Sequence, residues 1–171
     1  IQFHMQTNYL FLLFFYLITT LNIISQTDAN KVDIKTILTE IAKAPSAQRI
    51  EKDIRTLADF GTRHTLSDTV SHVRGIGAAR RWIKSEFEQI SKDCNNCLEV
   101  SYHKGLAKKD DKRITKDTWI VNVLAIQRGA VNPDRYVIMS GDIDSRISDV
   151  NNFTDDAPGA NDNASGMAGT L

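Results

Sequence analysis

The chain has 171 residues, of which 42% are hydrophobic and 25% charged, and its 21 Lys and Arg balance 21 Asp and Glu for a formal net charge of zero. That length can bury a core as one domain, and the charge balance removes the electrostatic case for nucleic acid or an anionic membrane as partner. No internal repeat or second domain is visible.

Residues 9–24 are uncharged and apolar, short for crossing a bilayer and suited to the apolar core of a secretory leader. Thr27-Asp28-Ala29 puts small residues at the first and third positions of a cleavage site, so residues 1–29 are read as a signal peptide and the protein as exported, periplasmic or extracellular. No Lys or Arg precedes the run, which leaves an uncleaved membrane anchor as the alternative. The chain opens on Ile1, its first Met is Met5, and Leu171 falls inside an expected helix, so a fragment is expected.

Ile34, Ile37, Leu38 and Ile41 share one helical face over residues 33–44, which Pro45 ends. Ser46 is placed to cap a second helix carrying Ile50, Ile54, Leu57 and Ala58, closed near Gly61. Both faces are expected to be core. In the loop that follows, Arg63 and His64 could reach a site, although a lone loop histidine is more often solvated or hydrogen-bonded than a ligand. Gly75-Ile76-Gly77 has neither a preceding strand nor the third glycine of a dinucleotide loop. Those glycines are better explained by close packing at the start of a helix with Ile76, Ala79, Ile83, Phe87 and Ile90 at three-to-four spacing.

Cys94 and Cys97 have metal-ligand or redox spacing. A zinc site would need two further ligands, and a thioredoxin-like pair would follow a strand, whereas this pair follows a helix. A local disulfide is expected in an exported chain, with two free thiols as the alternative. Strands are expected over 98–102 and 118–127, separated by a charged connection, and a third over 136–139. Three strands after several helices imply part of a mixed sheet with helices on its faces, an α/β fold.

The third apolar run delivers Asp142-Ile143-Asp144-Ser145 into a loop, and Ala157-Pro158-Gly159-Ala160-Asn161-Asp162-Asn163-Ala164-Ser165-Gly166 then turns toward a helix. Loops at strand ends are where such folds place chemistry. Asp142, Asp144 and Asp162 are expected on one rim, where mutual repulsion calls for a bound cation or for one carboxylate of raised pKa. Helix capping and turn formation are the simpler roles for the same residues.

These two motifs, with Phe60-Gly61-Thr62-Arg63-His64 and Arg74-Gly75-Ile76-Gly77-Ala78-Ala79-Arg80-Arg81-Trp82-Ile83 upstream, resemble the co-catalytic zinc aminopeptidases, the family of the bacterial leucyl aminopeptidases. The resemblance implies a three-layer α/β/α zinc-exopeptidase-like fold with a mixed sheet, of which residues 30–171 hold the N-terminal part of the catalytic domain. It implies two Zn²⁺ ions acting on peptide or protein N-termini, Asp162 as the carboxylate bridging them, Asp142 as a ligand to one, and Asp144 orienting that ligand from outside. The family usually has His where this chain has Asp142, a change that favours harder ions such as Mn²⁺ or Mg²⁺. Its general base and remaining ligands are expected downstream of Leu171, so the fragment should not catalyse alone. A non-catalytic binding or structural relative of the same fold and a glutaminyl cyclase-like enzyme are the alternatives.

Overall fold

The computed structural model of the chain describes residues 33–110 and 112–171, so the expected signal peptide lies outside the described residues. The described residues divide into two units at Pro45. In the first, helix α1 spans Ile34–Lys43. Asp33 caps it, its carboxylate accepting from the Lys35 amide at 3.1 Å, and it stops before Pro45, whose ring disfavours a helical residue ahead of it. The face expected to be core is instead open: Ile34 is 66% and Ile41 61% exposed.

The second unit begins with helix α2, Ala47–Asp59, capped as expected by Ser46, whose hydroxyl accepts from the Arg49 amide at 3.2 Å. Helix α3 spans Gly75–Asp93, then strands β1, Glu99–Ala107, and β2, Thr118–Ile126, pair antiparallel from Glu99 opposite Ile126 to Ala107 opposite Thr118. A wide helical turn, Ala160–Ala164, leads into the short helix α4, Ser165–Ala168. The class is α/β, as the sequence implies. A disulfide joins Cys94 to Cys97, closing the turn between α3 and β1 as expected.

The core is where these pieces meet. Leu57 of α2, Ala79 and Ile83 of α3, and Ala164 and Met167 at the chain's last turn are buried together, with Val123 of β2 and Ile143 packed against them. Arg49 bridges the two long helices, reaching the buried Asp53 carboxylate at 2.6 Å and Glu86 at 2.8 Å. The start of α3 lies tight against the preceding loop, Gly77 donating its amide to the Asp68 carbonyl at 3.0 Å. This is the close approach its glycines were read to permit.

The third strand does not form. Residues 135–148 have no ladder, and Tyr136, Val137, Ile138 and Met139 are 73–89% exposed. A strand exists only through the backbone groups of a neighbour, and none of the described residues offers this run a partner. The sheet is therefore two-stranded and antiparallel among the described residues, and the only parallel pairing among them is the isolated bridge of Thr62 with Ala157.

Candidate metal centre

The two carboxylate loops are held together by one buried arginine. Arg63 is 0% exposed, and its guanidinium donates to four carbonyls: Ile143 at 2.9 Å, Leu57 at 2.7 Å, Pro158 at 2.6 Å and Gly159 at 3.1 Å. One side chain thus ties the end of α2, the loop of Asp142 and Asp144, and the loop that leads to Asp162. Burial pushes its pKa down to about 10, with the charge of Asp144 opposing the shift.

Ser145 completes the clamp. Its hydroxyl accepts from the Arg63 amide at 3.0 Å and donates to the Ala157 carbonyl at 2.6 Å, while its own amide donates to the Arg63 carbonyl at 3.3 Å. Gly159 sits beside it with φ +49°, where a Cβ would lie 2.5 Å from that of Ser145 and 2.6 Å from the Asp162 carbonyl. Only glycine fits both that backbone and that space. Gly141, immediately before Asp142, passes so close to α4 that a Cβ there would stand 2.6 Å from the Met167 nitrogen. The residues flanking Asp142 and Asp162 therefore belong to one packed framework.

The turn that presents Asp162 departs from helical geometry at that residue, with φ −114° and ψ 96°, and the Asp162–Asn163 peptide is cis. The side-chain oxygen of Asn163 accepts from the Gly166 amide at 2.9 Å. Asp142, Asp144 and Asp162 are all exposed. Asp144 lies close enough to Arg63 and Arg80 to favour the charge on each.

His64 is not available to this site. It is buried, Nδ1 accepts from the Leu66 amide at 3.0 Å, and Nε2 lies 3.1 Å from the Val150 carbonyl, to which it must donate. Both ring nitrogens are thus used within loops. Arg63, read from sequence as able to reach the site, acts from behind it instead. The importance of Ser145 was missed, because a serine bonded to distant backbone has no spacing signature.

Among the described residues no group of three or more His, Cys, Asp or Glu side chains is gathered to hold a metal ion. The three carboxylates expected on one rim do not form a closed ligand set here. What fits a divalent cation is the donor chemistry: exposed carboxylate oxygens on two braced loops.

Fold and site together define an α/β protein that displays acidic residues from two loops locked at the edge of its core. The chain is 48% identical over 126 residues to a protein of Pyrenophora tritici-repentis named "Probable zinc metalloprotease", a match covering 72% of this chain and 25% of that protein. Proteins with the same designation match from Leptosphaeria maculans, 43% identical over 82% of this chain and 31% of theirs, and from Pyricularia oryzae, 42% identical over 80% and 26%. The chain thus spans about a quarter to a third of the length of the curated relatives it matches. No protein-family model matches it, and no solved structure does.

Proposed function

We propose that this chain is part of an exported, zinc-dependent aminopeptidase in which Asp142 and Asp162 are metal ligands. The observation that carries the reading is the Arg63–Ser145 clamp, which braces the two loops that carry the exposed carboxylates of Asp142 and Asp162. The relatives named as zinc metalloproteases support the metal and the hydrolytic class.

The residues divide the work. Asp162 stands on a turn with non-helical backbone and is exposed, so its carboxylate would be open to a metal ion. Asp142 supplies the second loop's oxygen ligand. Asp144 steadies that loop from outside through the charges of Arg63 and Arg80. When bound, zinc would supply Lewis acidity toward the scissile carbonyl and toward the attacking water. Loops braced by buried hydrogen bonds would hold the backbone on which these side chains turn toward a metal ion.

The test is hydrolysis of aminoacyl-anilides by the full-length protein, stripped of metal and then reloaded. Activity that vanishes on stripping, returns with Zn²⁺ and requires a free α-amine is expected. Equal cleavage of N-acetylated substrates would rule out an aminopeptidase, and activity indifferent to chelation would rule out the metal.

A further inference from the structure

A cleft of about 1110 Å³ opens between the sheet and the segment that runs from Thr62 into the first turns of α3, and Asp142, Asp144 and Asp162 are not among its lining residues. The antiparallel register explains its sheet wall. Tyr102 and Lys104 of β1 lie opposite Val123 and Val121, and Leu106 opposite Trp119, so these side chains share the face turned toward α3.

Arg80 sets this cleft apart. It is 8% exposed, it lines the cleft, and its Nε has no hydrogen-bond partner among the described residues. Buried guanidinium groups are normally satisfied, as Arg63 is, because the desolvated charge is otherwise uncompensated. The neighbouring arginines are satisfied: Arg74 pairs with Asp156 at 2.7 Å, and Arg81 donates to the Thr69 and Val70 carbonyls at 2.9 and 3.2 Å. The acids lining the cleft are engaged too. Asp68 accepts from the Val70 and Ser71 amides, and Asp117 is held by Lys108 and the Lys109 amide. Lys104 and Lys116 are exposed and rest over the rings of Tyr102 and Phe153 at 5.8 and 5.9 Å. The acids that line the cleft are thus spent on other partners, and Asp144, outside the lining, favours the Arg80 charge without a hydrogen bond to it, while burial works against that charge and lowers the pKa.

We propose that this cleft binds a small molecule through a phosphate-type oxyanion, received by the Arg80 guanidinium and flanked by Lys104 and Lys116. A planar guanidinium offers parallel N–H donors matched to two oxygens of such a group, and the lysines add mobile point charges at the mouth. Trp119 and Phe153 provide apolar wall for the organic part. Lys104 and Lys116 take no part in the metallopeptidase reading, and Arg80 touches it only through the charge of Asp144, so phosphate titration of the metal-free chain reads this site separately.

The test is calorimetric titration of the metal-free full chain with inorganic phosphate at fixed ionic strength, with sodium chloride as the control anion. Saturable binding of one phosphate per chain is expected, weakened about tenfold or more by Arg80→Met. Because Arg80 is buried, that variant is checked for folding by circular dichroism. The exposed double variant Lys104→Gln, Lys116→Gln gives a second reading and should weaken binding about threefold or more through lost electrostatic attraction. No saturable heat with the wild-type chain would overturn the proposal, as would phosphate affinity unchanged in a folded Arg80→Met chain or in the double lysine variant.

Discussion

Arg63 shows how much a single side chain can organise when its partners are main-chain carbonyls. Its guanidinium reaches four of them across three separate segments. A methionine of similar length would fill the space but leave those acceptors buried without donors. Each such loss costs about 1–3 kcal/mol, so Arg63→Met should lower the unfolding free energy by about 3 kcal/mol or more, read from denaturant midpoints at unchanged slope. A change within about 0.5 kcal/mol, the scale of ordinary surface substitutions, would mean that the clamp is not what holds the two loops. Nothing in the sequence announces this role. The residue type could be singled out as able to reach a site, but hydrogen bonds to carbonyls some 80 to 96 positions away leave no pattern along the chain. The glycine beside it was legible as part of a turn, whereas its positive φ and its contact with Ser145 were not.

Among the elements, those with their partners at hand were the most readable. Helices α2 and α3 follow from apolar residues at three-to-four spacing, and the Ser46 cap from its place before the first turn. The Cys94–Cys97 disulfide followed from position and context. Ile83 lies fully buried between α2 and the last turn of the chain. Ile83→Ala should therefore cost about 2–5 kcal/mol, the usual range for emptying such a position, measured by thermal or chemical unfolding. A cost below about 1 kcal/mol would show that α3 is not packed as described. The element that failed to form, residues 136–139, failed for a different reason. Its apolar, β-branched composition is strand-like, but composition cannot supply the neighbouring ladder, and the run stays exposed among the described residues. The apolar face of α1 was legible in the same way, yet none of its residues is buried.

At the scale of the whole molecule, the α/β class could be read from the order of elements, while the two acidic motifs stand on mutually braced loops without their carboxylates being gathered into a cluster among the described residues. What the motifs could not convey is that the bracing comes from Arg63 and Ser145, and that His64 is spent within its own loops. The central claim is that Asp162 is a ligand rather than a turn residue. It is tested most directly by measuring metal content alongside aminoacyl-anilide turnover in the full-length protein carrying Asp162→Asn. Removing that charge should lower zinc occupancy and reduce kcat about 10²-fold or more, on the scale of other electrostatic catalytic effects, while Asp142→His retains zinc and discriminates against Mn²⁺ and Mg²⁺. An Asp162→Asn protein with wild-type metal content and near-normal turnover would contradict the account.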